Sequence, residues 1–436
     1  MRGEITIPIK CVTQLANQLC RWSQKESYSL VLNSNDLLTS NNAYNKLSRY
    51  QILAAFGACK LYSPAKGYLN ALSEAEKLGD WLFGYLGYDL KNEISNLTSS
   101  NPDGLHFPNM QFFRPAIVFA VQNNILTIHY SKSKFSEQTA NSYFEAITTS
   151  PIFDDESDSN IVPKSRFTKE EYIETVESVL SSIHRGNILG INLCQEFFVE
   201  NCHIDPYETY IKLNSISPTP FSAFGKFNDR FLICASPERY LQKYGITLVT
   251  QPIKGTSPRG KSEEEDKQIA EKLFNDPKER AENIMIVDLV QNELSRISQA
   301  GSVKVDELCG VYPFKQVHQM ISTVSCQVEP SFGLANILKH LFPMGSMSGA
   351  PKVEAMQLIE KCERSQRGLY SGSVGYIDPT GNFDFNVVIR SLLYNQANKY
   401  LSYTVGGAIT SQSNPHNEYN ECLLKAKAII QALTSK

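Results

Sequence analysis

Residues 406–426 read G-G-A-I-T-S-Q-S-N-P-H-N-E-Y-N-E-C-L-L-K-A, which is a strand end followed by a helix. Ser413 or Asn414 is a suitable N-cap, and Pro415 suits the first helical turn. The apolar spacing beyond it predicts a helix over 415–433. Because a strand signal comes directly before this helix, the stretch predicts a fold that combines strands and helices.

The predicted helix over 415–433 has two distinct sides. Its apolar face, which we expect to be buried, comprises Tyr419, Cys422, Leu423, Ala426, Ile430 and Leu433. Glu418, Glu421 and Lys425 follow the spacing i, i+3, i+7 and project from one side. Two carboxylates one turn apart can bind a hard cation, directly or through water. A solvated salt-bridging face has the same spacing, and the spacing alone favours that interpretation.

Helix and strand signals alternate from Thr168 to the C terminus. Helices are predicted at 168–183, 263–274 and 277–297, and strands at 191–199, 222–227, 231–236, 371–377, 383–394 and 401–406. The first 150 residues contain shorter elements, including a hairpin around Asn123 and Asn124. The polar, acidic stretch 153–165 predicts an exposed loop or linker between residues 1–152 and 166–436.

The composition limits the class of protein. The chain has 436 residues, of which 42% are hydrophobic and 20% charged, as expected for a globular protein with a sizeable core. A net charge of −3 gives no global attraction to nucleic acid or acidic membranes. The ten cysteines are scattered without a C-x-x-C pair, the N terminus lacks an apolar signal region, and the apolar runs are short. We expect a cytoplasmic protein that binds neither nucleic acid nor membranes.

A lysine ends an apolar strand signal in the stretch T-Q-P-I-K-G-T-S-P-R-G (250–260). Period-two alternation places Lys254 on the same side as Ile246 and Leu248. Pro252 could host a bulge that changes this phase. From these residues alone, the ordinary explanation is a surface lysine.

Three further positions carry weaker signals. Glu282 precedes the apolar run I-M-I-V-D-L-V, where an ionised carboxylate needs a partner or a metal, although a glutamate stabilised by the helix dipole explains it equally well. The turn F-P-M-G-S-M-S-G-A-P-K (342–352) presents N–H groups at a helix start, and an ordinary helix entry is the simpler interpretation. Arg390 interrupts the apolar strand N-V-V-I-R-S-L-L-Y, which predicts a carboxylate partner from the protein or a ligand.

Together, and in this order, these segments resemble the chorismate-utilising enzymes. The matching segments are S-P-E-R (236–239), P-I-K-G-T (252–256), R-A-E-N-I-M-I-V-D-L-V-Q-N-E (280–293), S-M-S-G-A-P-K (346–352), G-S-V-G-Y (372–376), V-V-I-R-S (387–391) and the opening stretch. Residues 1–152 match more loosely, through W-L-F-G-Y-L-G-Y-D-L (81–90), and resemble the N-terminal segment of anthranilate synthase component I. The resemblance implies an α+β fold of four layers. In it, two packed antiparallel sheets are flanked by helices, and residues 1–152 interleave with the catalytic region 166–436.

Lys254 indicates a group within this family. Aminodeoxychorismate synthases carry Lys in P-I-K-G-T, whereas anthranilate synthases typically carry Ala, so the chain resembles component I of the first group. The resemblance implies Mg²⁺-dependent amination of chorismate to 4-amino-4-deoxychorismate, on the route to para-aminobenzoate and folate. Lys254 would add at C2 as the C4 hydroxyl leaves, which requires a neutral amine and thus a lowered pKa. The alternatives are anthranilate synthase component I and a weakly active chorismate-binding partner subunit.

The resemblance also implies roles for the matched residues and a partner. Glu238 resembles the general acid for the departing hydroxyl, while Glu282 and Glu421, helped by Glu418, resemble the Mg²⁺ ligands. The implied substrate-binding residues are Arg390, Lys425, Gly406, Gly407, Tyr376, Ser348, Gly349, Gln319 and Thr256. Because no G-x-C-x-G glutaminase motif is visible, we expect a separate glutamine amidotransferase subunit to supply ammonia, and another protein to release pyruvate.

Two positions depart from the family pattern. In V-H-Q-M-I-S, Gln319 stands where members usually have His, and His318 comes one residue earlier. Either Gln319 supplies the hydrogen bond, or a shift brings His318 into the site, or turnover is impaired. Gly190 stands where amine-adding members commonly have Gln and water-adding members have Lys. The missing lysine argues against an isochorismate synthase, which needs a base to activate water.

Overall fold

A computed structural model describes residues 1–35, 47–149 and 161–434. The helices of the described residues are α1 (Val12–Ser23), α2 (Tyr68–Glu76), α3 (Lys91–Ser95), α4 (Glu137–Thr149), α5 (Lys169–His184), α6 (Pro206–Ile216), α7 (Glu263–Asn275), α8 (Pro277–Ser295), α9 (Leu334–Leu341), α10 (Lys352–Cys362) and α11 (Pro415–Leu433). None of these described helices is both long and apolar enough to span a bilayer.

The strands come from both the first and the last parts of the chain. The first ten are β1 (Arg2–Pro8), β2 (Tyr28–Asn33), β3 (Ile52–Tyr62), β4 (Leu82–Leu86), β5 (Met110–Gln122), β6 (Ile125–Ser131), β7 (Lys164–Ser165), β8 (Gly190–Val199), β9 (Phe221–Phe227) and β10 (Arg230–Ser236). The others are β11 (Arg239–Tyr244), β12 (Thr247–Gln251), β13 (Ile253–Pro258), β14 (Lys304–Pro313), β15 (Val317–Gln327), β16 (Gly349–Ala350), β17 (Ser373–Ile377), β18 (Phe383–Asn386), β19 (Ser391–Asn395) and β20 (Tyr400–Thr410).

Antiparallel pairings link these strands into two sheets that share β5. The first sheet runs β1-β6-β5-β3-β2-β9-β10-β19-β20-β8, with β7 and β16 beside β8. The second runs β4-β17-β18-β11-β12-β15, with β13 and β14 also paired to β15. The start of β5 pairs with β4, and its end pairs with β6. The sheets are therefore continuous through one long strand.

Side-chain alternation explains how the first sheet is buried on both faces. On β10, Leu232 and Cys234 belong to the core shared with the second sheet, whereas Phe231 and Ile233 belong to the core beneath the helices. The core beneath the helices is completed by residues of α1, α4, α5, α6 and α11. On the second sheet, α8 packs against β13 and β15. The predicted fold of two packed antiparallel sheets flanked by helices is confirmed.

Strands from the first 149 residues are inserted among later strands. β2 pairs with β9, and β4 pairs with β17. Of the acidic stretch predicted to be a loop at 153–165, residues 153–160 lie outside the described residues, and Lys164–Ser165 forms β7 beside β8. The division into 1–152 and 166–436 stays a prediction.

Helix α11 begins as predicted, with the Asn414 side chain accepting hydrogen bonds from two N–H groups of the first turn. Its buried face is rotated from the predicted one: Leu423 and Ile430 are 39% and 37% exposed. Ile429 and Ala432 are buried in the core instead. The predicted face was wrong there because the side of α11 that packs on α5, α6 and β20 follows Cys422, Ala426, Ile429 and Leu433.

Candidate active site

A cavity of about 510 Å³ lies where β13, β15, β20, α8 and α11 converge. Ten sequence-predicted site residues line it, namely Glu238, Lys254, Thr256, Glu282, Gln319, Arg390, Gly406, Glu418, Glu421 and Lys425. They are separated by up to 187 residues in the chain, and the two sheets bring them together. A cavity of this size holds a small organic molecule.

The position of Lys254 depends on an irregular strand. Pro252 separates β12 from β13, and the register of β13 against β15 shifts between Ile253 and Thr256. The Asn283 side chain of α8 donates a hydrogen bond to the Lys254 carbonyl oxygen at 3.1 Å. Helix α8 therefore fixes the backbone that carries the lysine into the cavity.

The surroundings of Lys254 favour its neutral form. Burial lowers the pKa of Lys254, and the positive charge of Lys425 lowers it further. Glu282 and Glu238 act in the opposite direction, but the net shift is downward. A lysine with a lowered pKa supplies more of the neutral amine that acts as a nucleophile.

Glu238 lies between β10 and β11 and is 3% exposed. Burial raises the pKa of Glu238 to about 7, against the opposing effects of a hydrogen bond with Ser346 and the charge of Lys254. A carboxyl group with such a pKa can hold a proton near neutral pH and give it to a leaving group. Ser346, which sequence reasoning did not single out, lies in the S-M-S-G-A-P-K turn that the family resemblance quotes.

Carboxylates gather at one side of the cavity. Glu282 of α8 and Glu418 and Glu421 of α11 are joined there by Glu279, which sequence reasoning missed. Burial and the neighbouring Glu282 raise the pKa of Glu279 to about 7. Its spacing of i, i+3 to Glu282 repeats that of Glu418 to Glu421, and this repetition was the available signal. Gly407 lies close by, since a Cβ there would be 3.0 Å from Glu418 Oε2.

The donor set of this acidic cluster suits a hard divalent cation. Carboxylate oxygens are the ligands that Mg²⁺ prefers. Burial raises the pKa values of Glu279, Glu282 and Glu418, and neighbouring carboxylates raise them further, so a cation would stabilise the ionised forms. Two lysines already pair with this cluster: Lys278 Nζ lies 3.8 Å from Glu282 Oε1, and Lys425 Nζ lies 2.6 Å from Glu421 Oε1. Within residues 1–35, 47–149 and 161–434, no three His, Cys, Asp or Glu side chains are already arranged as a metal site.

Two cationic side chains, Lys425 and Arg390, also line the cavity. Lys425 Nζ donates a hydrogen bond to the Gly406 carbonyl oxygen at 2.8 Å besides pairing with Glu421. Arg390 has a φ of +53° and lies at a break between β18 and β19, where the sequence predicted one continuous strand. Among the described residues, its guanidinium forms no ion pair within 4 Å, and its Nη1 donates a hydrogen bond to the Lys425 carbonyl oxygen at 3.4 Å.

Four predicted residues do not line the main cavity, namely Gly407, Tyr376, Ser348 and Gly349. Tyr376 packs against Tyr50 and Trp81 and lines a separate cavity of about 60 Å³, because β17 lies inside the second sheet. The placement of Tyr376 in the main cavity is therefore corrected. Ser348 and Gly349 line a chamber of about 20 Å³ that adjoins Lys254. Tyr370, six residues before Tyr376, lines the main cavity instead.

The structure also places the two departures from the family pattern. Gln319 lines the cavity, whereas His318 Nε2 lies 2.9 Å from Asp266 Oδ1 and does not line it. This excludes the alternative in which a register shift brings His318 into the site. Gly190 lines the small chamber, where an added Cβ would lie 2.9 Å from the Ile409 carbonyl oxygen.

Residues 21–431 match the family described as chorismate binding enzyme. The chain belongs to this family. The probable chloroplastic aminodeoxychorismate synthase of Oryza sativa subsp. japonica is 36% identical in an alignment of 384 positions, which covers 79% of this chain and 42% of that protein. Aminodeoxychorismate synthase component 1 of Salmonella typhimurium (strain LT2) is 34% identical over 355 residues, 80% of this chain and 76% of that protein. The chain thus spans less than half of the rice relative and about three quarters of the bacterial one.

Among solved structures, anthranilate synthase component I from Streptococcus pneumoniae TIGR4 has the same fold. Its TM-score is 0.77 at 27% identity, covering 88% of this chain and 92% of that one. The family resemblance predicted from the sequence is confirmed, and the chain is a chorismate-utilising enzyme close to aminodeoxychorismate synthase component I.

Proposed function

We propose that the chain aminates chorismate with ammonia to give 4-amino-4-deoxychorismate, in a Mg²⁺-dependent reaction. One observation carries the proposal: Lys254, with a lowered pKa, lines the same cavity as Glu238, with a raised pKa. One group is poised to attack as a neutral amine and the other to donate a proton. An enzyme that added ammonia directly at C2, as for anthranilate, would have no use for this lysine.

The proposed chemistry has two balanced steps. The neutral Lys254 amine forms a bond to C2 of chorismate, the ring double bonds shift, and the C4–O bond breaks. Glu238 gives its proton to the departing hydroxide, which leaves as water. Ammonia then forms a bond to C4, the double bonds shift back, and the C2–N bond to Lys254 breaks. The new ammonium group returns a proton to Glu238, so the net change is exchange of hydroxyl for amine with loss of water.

The remaining charged residues would bind and orient the substrate. Arg390, which lacks a carboxylate partner among the described residues, would bind the enolpyruvyl carboxylate together with Lys425. Glu282 and Glu421, with Glu418 directly or through water, would hold Mg²⁺, and the bound ion would neutralise the ring carboxylate. Gly406 and Thr256 would contribute backbone and hydroxyl groups to the cavity wall. Gly407 would lie next to Glu418.

The proposal includes a partner and a compartment. The Salmonella relative is named component 1, which supports a second subunit for this chain too. We propose that this subunit is a glutamine amidotransferase that delivers ammonia in the cytoplasm, and that neither nucleic acid nor a membrane is involved. In its absence, added ammonium salt replaces glutamine.

The test is the identity of the product. The purified chain is incubated with chorismate, Mg²⁺ and ammonium salt, with and without an added aminodeoxychorismate lyase. The proposal requires that para-aminobenzoate appear only when the lyase is present. Direct formation of fluorescent anthranilate would instead establish the second candidate function, which the Streptococcus pneumoniae structure favours. Chorismate binding without turnover would establish a binding subunit.

Glu421→Gln tests the proposed metal site. Losing one charged ligand should raise the Mg²⁺ concentration for half-maximal activity by about tenfold or more. The measurement is a Mg²⁺ titration of initial rate at saturating chorismate and ammonium. Glu177→Gln, an exposed residue of α5, is the matched control and should leave the titration unchanged. The same midpoint in Glu421→Gln would count against ligation.

A further inference from the structure

Arg367 is a buried arginine whose contacts reach the wall of the main cavity, although it does not itself line that cavity. It lies in the segment between α10 and β17, and its side chain is 1% exposed. Its guanidinium donates two hydrogen bonds to the Glu363 carboxylate, from Nε at 2.9 Å and from Nη2 at 2.6 Å. A guanidinium paired in this way is held in a fixed orientation.

Other donors of this guanidinium hold two backbone carbonyl groups of the cavity wall. Nη1 donates a hydrogen bond to the Met347 carbonyl oxygen at 2.6 Å, and Nη2 donates one to the Asn192 carbonyl oxygen at 2.7 Å. Met347 and Asn192 both line the main cavity. The Asn192 N–H also donates a hydrogen bond to the Ser348 carbonyl oxygen at 2.7 Å. Arg367 therefore fixes the turn at Gly345–Met347 against β8.

The turn held in this way carries a residue that contacts the proposed proton donor. Ser346 comes directly before Met347, and its side chain forms a hydrogen bond with Glu238. A shift of the Met347 carbonyl group would therefore move the Ser346 hydroxyl too. Burial raises the pKa of Glu238 to about 7, and the hydrogen bond from Ser346 opposes this rise.

We propose that Arg367 is a positioning residue for the general acid: by holding the Met347 carbonyl group, it keeps Ser346 in hydrogen-bond contact with Glu238. The charge of Arg367 is matched by Glu363, and the contact that reaches Glu238 comes from Ser346. The effect of the arginine therefore passes through the turn. This inference rests on the proposed function, which gives Glu238 the role of general acid.

The charged groups around Glu238 come from several elements. Lys254 of β13 and Lys425 of α11 both lower its pKa. Arg239 and Glu293 line a small cavity that Glu238 also lines. A substitution of Arg367 by lysine alters none of these groups and keeps the positive charge beside Glu363. A change of pH dependence in that variant therefore reports on the turn.

The test is the pH dependence of kcat/KM for chorismate in Arg367→Lys, which reports the ionisation of the free chain. Lysine presents one ammonium group in place of the planar fork, so the geometry of the contacts with Glu363, Met347 and Asn192 is lost. Rates are measured with Mg²⁺ and a constant concentration of unprotonated ammonia. We expect the pH at which activity declines to move upward by at least about half a unit, because Glu238 loses a hydrogen bond that stabilises its ionised form.

A double variant separates this role from a purely structural one. Ser346→Ala removes the hydroxyl and should also move the decline upward. Adding Arg367→Lys to Ser346→Ala should move it no further, because the arginine acts through that hydroxyl. Additive shifts would overturn the inference, and so would an unchanged profile in either single variant.

Arg166→Lys is the matched control. Arg166 Nε lies 2.9 Å from Glu196 Oε2, and neither residue lines the main cavity. Arg166→Lys should keep the pH profile of the unmodified chain, and a shift as large as that of Arg367→Lys would count against the inference. Chorismate binding by Arg367→Lys is measured by calorimetry. Its loss would also overturn the inference, because the arginine would then be needed for the fold of the site.

The product assay separates this inference from the proposed function. A chain that gives 4-amino-4-deoxychorismate with the same pH profile in every variant refutes the inference and leaves the proposed function standing. A chain that gives anthranilate refutes the proposed function, and the shift in Arg367→Lys can still be measured on that product. A chain that binds chorismate without turnover refutes both.

Discussion

Lys254→Met is expected to lower kcat for amination by at least about three orders of magnitude, as when a covalent nucleophile is removed from other enzymes. Methionine keeps the length and apolar stem of the side chain but has no amine to form the bond to C2. The measurement is the lyase-coupled assay at saturating chorismate, Mg²⁺ and ammonium. The Kd of chorismate should change by less than about tenfold, because Arg390 and Lys425, which would bind its carboxylate, remain.

Lys427→Met is the matched control for this variant. Lys427 also lines the cavity, but it is exposed on α11 and no part of the proposed chemistry uses it. It should retain near-normal kcat. Near-normal amination by Lys254→Met would refute the covalent role of the lysine, and the direct attack of ammonia on the ring would then be the better mechanism.

Glu238→Gln is expected to lower kcat by about 10²- to 10⁴-fold, the contribution of a general acid. The pH dependence gives a sharper result. Because burial raises the pKa of Glu238 to about 7, the group holds its proton below that pH and loses it above. The unmodified chain should therefore lose activity as the pH rises through about 7. Glutamine does not titrate, so the residual activity of the variant should lack this decline.

The measurement is the rate under saturating conditions across pH values on both sides of neutrality. Chorismate binding by Glu238→Gln at one pH serves as the control for folding, and it should stay within about threefold of the unmodified chain, as for an interaction formed mainly in the transition state. If the decline persists in the variant, another group donates the proton.

Local signals predicted the elements of this fold well where capping residues set the ends. Asn414 and Pro415 placed the start of α11, and the adjacent asparagines 123 and 124 both have a positive φ in the turn between β5 and β6. The break at Arg390 was missed because apolar residues flank it on both sides, which gives the pattern of one strand. The sequence did not predict that β5 belongs to both sheets. Its start pairs with β4 and its end with β6, and local patterns do not show which strands pair.

The ordered motifs predicted most residues of the candidate site. The pKa shifts of these residues could not be predicted from the sequence. Tyr376 and Tyr370 flank the same glycine-rich segment, and only the position of β17 inside the second sheet separates their surroundings. The pKa of Glu238 depends on burial, which raises it, and on a hydrogen bond with Ser346, more than a hundred residues away, which lowers it. The side of the strand from which Lys254 projects depends on the register shift after Ile253. The alternating sequence pattern could not predict this side, because Pro252 could change the alternation.

Every side chain of the candidate site lies beyond residue 160, yet two strands of this portion pair with strands of the first 149 residues. β9 and β17 each have one neighbour that comes from the first 149 residues, β2 and β4 respectively. A fragment that began after them would present two bare strand edges to solvent, the kind of surface that promotes self-association. Fusion partners and tags therefore belong at the termini of the intact polypeptide, and a shortened catalytic version is an unsuitable starting point for engineering.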